Sequence, residues 1–526
     1  MTCEDWWRDA VIYQIYPRSF QDTAGNGVGD LAGIIARLPY LSWLGVDALW
    51  MCPFYRSPQA DFGYDITDHT AVDPLFGSLR DFDDLVKAAH QAGLRVIVDF
   101  VPNHTSIEHH WFVASRSSTA SPYRDWYLWA DPAPDGGPPN NWRSVTGGSA
   151  WTHDARTDQY YLHSFLPTQP DLNWRNPAVV KAMHDVLRFW LDRDVDGFRI
   201  DMVDYLIKDQ QLRDEPLDNA GGYQPATASY QLNQPETIDL LRSFRALTDG
   251  YGHGRVLIGE VEYGLPMPRL TSYYGNDDAL QLPINFWLLF LPWTAQALQR
   301  FITDYEAGLP AAAWPNWVIG SHDISRAASR LGAARVRSAL LVLLTLRGTP
   351  FLYYGDELGL PDAELQARDK RDPWVQADAS IGRDPARTPM PWTADLPHAG
   401  FCAAEAQPWL PIGSNHQGLD VETQLQDPGS TLHLTRDLLT LRRTHRALRA
   451  GSCQVGSLDI AGVLSYDREF NGARLRILVN CSDSTVTVSL AGARLLISTR
   501  RTTSLVNDSA ILGPDEGCVI DLRPPS

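Results

Sequence analysis

Four acidic residues stand at the ends of four separate apolar runs, and they are the residues of this chain best suited to chemistry. They are Asp99 in V-I-V-D-F-V-P-N-H, Asp201 in G-F-R-I-D-M-V, Glu260 in V-L-I-G-E-V and Asp323 in V-I-G-S-H-D. A buried strand carries no charge unless that charge is paired or used. One such carboxylate alone is as consistent with a cap or a loop ion pair as with function, but four at equivalent places predict a shared site.

Converging carboxylates without a cysteine or histidine cluster predict hydrolysis of a glycosidic bond. In that reaction one carboxylate attacks the anomeric carbon, and a protonated carboxyl group releases the leaving group. Arg199 stands two residues before Asp201, which places both side chains on the same face of a strand. We expect Arg199 to hold Asp201 ionised as the nucleophile. Glu260, with less compensating charge, would then keep its proton more readily.

The elements that position these residues follow an alternation of short β-branched runs with helical patterns, which is typical of βα units around a parallel sheet. In one predicted helix, residues 176–193, Pro177 follows a capping Asn176. The fold class that we predict is α/β, a (β/α)8 barrel rather than an open sheet. Its eight predicted strands are residues 11–16, 48–53, 95–101, 197–202, 256–261, 280–285, 317–321 and 350–354.

Two long segments interrupt this alternation. Residues 104–174 are rich in aromatic side chains, proline and glycine, and they predict a subdomain inserted after the third strand; a polar segment, about 361–427, follows the eighth strand. Both would overhang the rim at which βα loops emerge, where they could enclose a pocket. We therefore assign residues 1–103 and 175–450 to the catalytic barrel.

Residues 451–526 predict a small all-β, sandwich-like terminal domain, because short strands alternate there without helices. The predicted strands are residues 463–467, 475–479, 486–490, 495–498 and 519–522.

The composition and charge of the chain limit the kinds of molecule that it is expected to bind. The 526 residues carry a formal net charge of −18, which disfavours nucleic acid and anionic membrane and agrees with a neutral substrate. The acidic N-terminus has no basic region followed by an apolar stretch, and no run of about 18 apolar residues occurs. We expect a soluble, cytoplasmic protein. Its six cysteines include no C-x-x-C pair and predict reduced structural thiols; they are Cys3, Cys52, Cys402, Cys453, Cys481 and Cys518.

The motifs around these carboxylates resemble those of glycoside hydrolase family 13, the α-amylase family, over nearly the whole chain. H-D or G-E alone would carry no information, but the five motifs in the family's order are specific together. They are D-F-V-P-N-H (99–104), Q-P-D-L-N (169–173), G-F-R-I-D (197–201), G-E (259–260) and H-D (322–323).

The resemblance implies a role for each carboxylate. Asp201 is the expected nucleophile and Glu260 the expected general acid/base, in a retaining mechanism that requires no cofactor. Asp323 would bind substrate hydroxyls and favour the distorted sugar ring. Asp99 would support the site without reacting.

The resemblance also extends to the residues that bind the sugar. Arg199 matches the family's arginine, and His104 and His322 match the histidines that hydrogen-bond the sugar at the cleaved bond. A lone histidine is more often structural, so only the motifs support this role. We include Phe165 among the expected substrate-binding residues.

Within the family, three motifs resemble the exo-acting α-glucosidase and oligo-1,6-glucosidase subgroup: Y-Q-I-Y-P-R-S-F (13–20), D-F-G-Y-D-I (61–66) and A-R-T-P-M-P-W (386–392). By this resemblance Asp61 and Arg387 pair and bind the hydroxyls at the non-reducing end, while Tyr64 stacks beneath that glucose. A bidentate clamp at a pocket floor would stop a chain from passing through, so one glucose would be released at a time.

The loop at residues 22–30, D-T-A-G-N-G-V-G-D, resembles a calcium loop of many subgroup members. That loop usually has asparagine where Ala24 stands and aspartate where Asn26 stands. Calcium is usually coordinated by six to eight oxygen atoms, and this loop lacks one side-chain ligand and one charge. We therefore expect this metal site to be weak or absent. A phosphate loop is excluded, since Asp30 stands where G-x-G-x-x-G needs its last glycine.

The residue after the nucleophile is Met202, whereas relatives specific for α-1,6 bonds tend to have valine there and maltase-like ones alanine or threonine. We favour α-1,4 bonds in maltose-like donors. Met202 could give the acceptor site a soft apolar wall, which would favour glucosyl transfer to alcohol or sugar acceptors over attack by water.

The sequence supports the alternative functions to different degrees. An oligo-1,6-glucosidase, or a dedicated glucosyltransferase or disaccharide isomerase of the same family, would use the same nucleophile. A catalytically dead binding subunit is disfavoured, because every carboxylate is present and a membrane segment is missing. A serine hydrolase is disfavoured, because no G-x-S-x-G elbow occurs.

Overall fold

The computed structural model describes residues 5–216, 230–252, 254–376, 382–490, 492–500, 505–506 and 509–522. Its centre is a parallel eight-stranded sheet, and each strand overlaps one of the eight predicted runs, so the predicted barrel is confirmed. The strands are β1 (Ile12–Ile15), β2 (Ala48–Met51), β3 (Arg95–Phe100), β4 (Gly197–Ile200), β5 (Val256–Gly259), β6 (Leu282–Pro283), β7 (Asn316–Val318) and β8 (Thr349–Tyr353).

The sheet curls into a barrel with the strand order β6-β5-β4-β3-β2-β1-β8-β7. Between β6 and β7 the side chain of Asn316 makes the connection. Its Nδ2 donates to the Pro283 carbonyl at 2.6 Å, and its Oδ1 accepts from the Asn285 N–H at 2.9 Å. A side-chain amide, which carries both a donor and an acceptor, thus replaces a backbone ladder at the closure.

Helices follow the strands and cover the outside of the barrel. The predicted cap is confirmed: Asn176 accepts a hydrogen bond from the Ala178 N–H at 2.9 Å, with Pro177 at the first helical position. The main helices are Leu31–Leu44, Leu79–Gln91, Pro177–Leu191, Glu236–Asp249, Met267–Ser272, Ala295–Gly308, Ala327–Leu331, Ala333–Thr345, Val421–Gln426, Thr431–Thr444 and Arg446–Ala450.

The segment between β3 and the helix Pro177–Leu191 forms a subdomain with an apolar cluster of its own, which includes Trp142, Trp151 and Leu162. Two of its strands pair antiparallel with a third that lies between them. The elements are the helix His110–Ser115 and the strands Trp129–Ala130, Trp151–Asp154 and Gln159–Leu162.

The terminal domain is all-β, as predicted, and has one five-stranded and one three-stranded antiparallel sheet. Leu478 and Ile520 from the first sheet share an apolar cluster with Val488 and Leu512 from the second, so the two sheets pack face to face. The strands are Ser452–Val455, Val463–Phe470, Ala473–Asn480, Val486–Ser489, Arg494–Ser498, Leu505–Val506, Ser509–Leu512 and Gly517–Asp521.

The structure bears on two further expectations, which concern the cysteines and the membrane-spanning segments. Among the residues that the structure describes, five cysteines are free thiols, namely Cys52, Cys402, Cys453, Cys481 and Cys518. Cys3 lies outside the described residues. In the described part of the chain, none of the helices has the length and apolar character needed to cross a membrane.

Candidate active site

The alternation of side chains along the barrel strands brings the predicted carboxylates to one mouth. Ile97 and Ile258 point into the apolar interior of the barrel, where they join one cluster. Because successive side chains point to opposite faces, the next inward positions are Asp99 after Ile97 and Glu260 after Ile258. Asp99 and Glu260 therefore lie just above the apolar core.

Arg199 lies at the centre of this group of carboxylates and is 1% exposed. Its Nη1 lies 2.8 Å from Asp201 Oδ1 and 3.3 Å from Asp99 Oδ2, which confirms the expected contact with Asp201. Its Nη2 also contacts Glu260. We expected Glu260 to have less compensating charge than Asp201, and this expectation is wrong, because Arg199 contacts both. One guanidinium has enough N–H donors for all three carboxylates.

Asp201 and Glu260 nevertheless differ in how they hold a proton. Burial raises the pKa of Asp201 to about 7 and raises the pKa of Glu260 well above its ordinary value. The hydrogen bond between the two carboxyl groups lowers the pKa of Asp201 and raises that of Glu260, as expected when protonated Glu260 donates to an Asp201 carboxylate. The proton therefore belongs on Glu260.

Asp323 is held ionised. Burial opposes its ionisation, but a protonated His322 and the guanidinium groups of Arg387 and Arg383 hold the pKa of the Asp323 carboxyl well below its usual range. Near pH 7, where the His322 ring is neutral, the two arginines supply the charge. Arg387 Nη2 lies 2.6 Å from Asp323 Oδ1, Arg383 Nη1 lies 3.2 Å from it, and His322 Nε2 lies 3.1 Å from Oδ2. Asp323 is thus fixed as a charged hydrogen-bond acceptor.

The predicted pair of Asp61 with Arg387 is wrong. Asp61 Oδ1 is bound by Arg383 Nη2 at 2.6 Å, whereas Arg387 donates to Asp323 and, at 2.6 Å, to the His322 carbonyl. Arg383 is oriented from behind by Asp372, whose carboxylate accepts from Nε at 2.9 Å and from Nη2 at 2.8 Å. A buried arginine–aspartate clamp exists at the expected place, but a different arginine forms it.

The two predicted histidines lie on the same side of the site as Asp61. Burial lowers the pKa of His104 to about 4 and that of His322 well below its ordinary value, so both rings are neutral near pH 7. Tyr64 Oη donates to Asp99 at 2.9 Å and lies 2.8 Å from His322 Nε2, and its ring stacks on His322 with centroids 5.5 Å apart. Tyr64 thus forms a wall that Asp99 holds in place.

Gln169 was not identified as a site residue, although it belongs to the quoted motif Q-P-D-L-N. Its Nε2 lies 3.1 Å from His104 Nε2 and donates to Asp61 Oδ2 at 3.2 Å. Because it opens that motif, the sequence did contain a signal for it. It joins the inserted subdomain to the clamp.

These residues surround a cavity of about 450 Å³. Its lining includes the predicted Asp61, Tyr64, His104, Phe165, Asp201, Met202, Glu260 and Asp323. Arg199, His322 and Arg387 contact these residues from behind. The sequence did not identify the further lining residues Val145, Gln169, Glu262, Tyr263, Ile324, Ser325, Asp362, Trp374, Gly382, Arg383, Pro385 and Ala386.

The cavity lining has a charged part and an apolar part. Asp61, Asp323 and Arg383 form the charged part, whereas Phe165 belongs to an apolar cluster with Tyr205 and Leu232. Val145, Met202 and Trp374 pack against this cluster and also line the cavity. Met202 has φ +40°, a left-handed conformation that turns the chain immediately after Asp201. The predicted apolar wall therefore consists of several residues.

The loop at residues 22–30 uses its own oxygens internally. Asp22 accepts the N–H groups of Gly25 and Gly27, each at 2.8 Å, and Asp30 accepts those of Thr23 and Ala24. The described residues contain no group of three or more His, Cys, Asp or Glu that could hold a metal ion. These contacts leave few oxygens for calcium, and a weak or absent site stays a prediction.

Comparison with known proteins supports this geometry. Residues 14–451 match the model of the α-amylase catalytic domain. A probable α-glucosidase of Rhizobium meliloti (strain 1021) is 42% identical over 514 residues, which are 93% of this chain and 92% of that protein. An oligo-1,6-glucosidase of Heyndrickxia coagulans is 36% identical over 522 residues, which are 92% of this chain and 93% of that protein.

Solved structures give the same result. A crystal structure of an α-glucosyl transfer enzyme is 42% identical, with a TM-score of 0.91 over 98% of this chain and 99% of the other. A trehalulose synthase is 32% identical, with a TM-score of 0.90 over 98% of this chain and 100% of the other. Barrel, site and comparisons agree that this chain is a glycoside hydrolase and belongs to the α-amylase family, glycoside hydrolase family 13.

Proposed function

We propose that this protein is a retaining, exo-acting α-glucosidase that releases α-glucose from short, maltose-like α-1,4-glucosides and transfers glucosyl groups to alcohol or sugar acceptors. The observation that carries the proposal is the pair of carboxyl groups of Asp201 and Glu260 at the cavity, both in contact with the buried guanidinium of Arg199. One carboxylate and one carboxylic acid are the two groups that retention requires.

The reaction proceeds in two steps. Asp201 attacks the anomeric carbon while the bond to the glycosidic oxygen breaks, and that oxygen takes the proton of Glu260 as the leaving group departs. An acceptor hydroxyl, from water or an alcohol, then attacks the same carbon, gives its proton to the Glu260 carboxylate and displaces Asp201. Two inversions restore the α configuration.

The exo mode rests on the clamp of Asp61 with Arg383. Both side chains line the cavity, and Gln169 and Asp372 fix their positions. This buried ion pair can bind the hydroxyls of one terminal glucose and would block the passage of a longer chain. One glucose would therefore leave in each cycle.

The choice of α-1,4 bonds and the transfer activity rest on the apolar part of the cavity lining, where Met202 and Phe165 would contact the leaving group. A similar protein is named an oligo-1,6-glucosidase and another a trehalulose synthase, so hydrolysis of α-1,6 bonds and isomerisation are the second candidates. We also propose a cytoplasmic location, which the free thiols support.

The test is proton NMR of maltose and isomaltose digests, with wild type and with an Asp201→Asn variant. We expect wild type to release α-glucose first and to prefer maltose, and the variant to lose at least about 10³-fold in rate. β-Glucose as the first product, or an active variant, would refute the mechanism. A preference for isomaltose would favour the oligo-1,6-glucosidase.

The transfer activity is tested with maltose and an excess of a simple alcohol. A new α-glucoside of the alcohol, seen as an additional anomeric signal, supports transfer. Free glucose as the sole product would exclude it and leave the hydrolase in place.

A further inference from the structure

Glu262 places a carboxylate in the cavity lining, next to its apolar part. It follows Glu260 by two residues and lines the same cavity as Met202 and Phe165. Its Oε2 accepts a hydrogen bond from the Tyr205 hydroxyl at 2.8 Å, and its Oε1 accepts from the Tyr263 N–H at 3.2 Å. Tyr205 belongs to the apolar cluster with Phe165, so the carboxylate is attached to that wall.

Glu262 has no ion-pair partner among the residues that the structure describes. Its own N–H donates to the buried carboxylate of Asp204 at 2.9 Å. A carboxylate in such surroundings costs free energy unless its oxygens are hydrogen-bonded. A carboxylate offers about four acceptor positions, and these two bonds leave about half of them for a ligand.

The chemistry of the ligand follows from what surrounds these free positions. The ligand must donate hydrogen bonds to Glu262 while it presents an apolar face to Phe165 and Met202. A sugar ring combines hydroxyl donors with an apolar face of C–H groups, whereas a simple alcohol has one hydroxyl, which the reaction consumes.

On the basis of the proposed function, we infer that Glu262 hydrogen-bonds hydroxyl groups of the leaving or accepting group, so that polyhydroxylated acceptors, sugars above all, are its preferred class. Glu262 thereby selects between sugar and simple alcohol beside the apolar part of the lining, while Asp61 and Arg383 bind the transferred glucose. A hydrogen bond to a charged group is worth about tenfold or more in binding.

The experiment compares two donors that share the transferred glucose and differ in the leaving group. Maltose releases a sugar, and 4-nitrophenyl α-glucoside releases a phenol without sugar hydroxyls. For Glu262→Ala we expect kcat/KM to fall about tenfold or more on maltose and to stay within about twofold on the aryl glucoside. Glu262→Gln should recover part of the maltose activity, because its carboxamide oxygen still accepts hydrogen bonds.

Transfer gives a second measurement. With the aryl glucoside as donor and equal concentrations of glucose and propanol, Glu262→Ala should shift the products from disaccharide towards propyl glucoside. The exposed Asp395, which does not line the cavity, provides a matched control. Asp395→Ala removes a negative charge and should change neither ratio.

Three outcomes would overturn the inference. An equal loss on both donors would mean that Glu262 acts through its contact with Tyr205 and not on the leaving group. Unchanged kinetics on both donors would mean that it binds no ligand hydroxyl. A wild type that hydrolyses neither donor would refute the proposed function itself, and this result is distinct from the other two.

Discussion

Asp201 and Glu260 share the guanidinium of Arg199, and the proton that lies between them sets the pH range in which the site can work. Asp201 must be ionised to attack, and burial raises its pKa to about 7. Glu260 must be protonated to release the leaving group, and burial raises its pKa well above its ordinary value. The value of kcat/KM should therefore rise with pH as Asp201 loses its proton and fall again at higher pH as Glu260 loses its own.

Removal of the acid should affect the two donors unequally. In Glu260→Gln the alkaline limb of the pH profile should disappear, because no carboxylic acid remains to lose its proton. Maltose should lose at least about 10²-fold more activity than 4-nitrophenyl α-glucoside, whose phenolate leaves without a proton. The measurement is kcat/KM against pH for both donors. An equal loss on both would contradict the role of Glu260 as the acid.

Arg383 and Arg387 show which site contacts cannot be predicted from this sequence. R-D-P-A-R contains both Arg383 and Arg387, and its pattern does not indicate which one faces Asp61. The choice depends on Asp372, eleven residues upstream of Arg383, whose carboxylate also accepts the Arg383 N–H at 2.7 Å. A contact of this kind, within an irregular loop, leaves no periodic pattern in the sequence. The carboxylates, in contrast, were predictable because each of them ends an apolar strand or run.

At the scale of elements, the barrel strands were predictable because buried parallel strands are short continuous apolar runs. The closure between β6 and β7 was not predictable, because it depends on the side chain of Asn316 rather than on a strand pattern. In the terminal domain the strands Ser452–Val455, Leu505–Val506 and Ser509–Leu512 were missed. Leu505–Val506 has only two residues, and each of the other two begins with a serine and is too short to show a clear apolar alternation.

The inserted subdomain is attached to the barrel by a buried ion pair. Lys208, which follows β4, contacts Asp171 Oδ2 at 2.6 Å and donates to Asn103 Oδ1 at 2.7 Å. Asp171 lies two residues after Gln169, and Asn103 directly precedes His104. The pair therefore holds two residues beside the cavity as well as the subdomain.

Replacement of Lys208 by methionine should damage both stability and binding. It leaves the buried Asp171 carboxylate without its cation, which costs about 3–5 kcal/mol in the free energy of unfolding. Denaturant unfolding followed by tryptophan fluorescence measures this loss, and KM for maltose should rise because His104 and Gln169 lose their support. Addition of Asp171→Asn should recover part of the stability. A double variant less stable than Lys208→Met alone would contradict this explanation.

At the scale of the whole molecule, the two ends of the barrel serve different purposes. The carboxyl ends of the strands carry the cavity, and the opposite end carries a charge cluster around Asp196, which precedes β4. Asp196 accepts from His90 Nε2 at 2.7 Å and from Arg95 Nη1 at 2.7 Å, and Arg255 Nη1 lies 3.4 Å away. Arg95, Asp196 and Arg255 lie at the amino ends of β3, β4 and β5, away from the cavity, so the cluster contributes to stability rather than to catalysis.

From this cluster we predict that part of the free energy of unfolding depends on pH. The hydrogen bond with Asp196 raises the pKa of His90 above its ordinary value of about 6.5, so the folded protein binds that proton more tightly than the unfolded chain. The resulting stabilisation is fully present below about pH 6.5 and is lost as the pH rises through the raised pKa. Asp194, whose Oδ2 lies 3.5 Å from His90 Nδ1, adds to the effect.

The measurement is the difference in free energy of unfolding between wild type and His90→Gln as a function of pH. We expect wild type to be the more stable at about pH 5.5, by less than about 1 kcal/mol because the His90 side chain is 26% exposed, and the difference to shrink towards about pH 8.5. Subtraction of the two curves removes the titration of Asp201 and of other groups common to both proteins. A difference that stays constant with pH, or grows as the pH rises, would show that the His90 proton does not stabilise this end of the barrel.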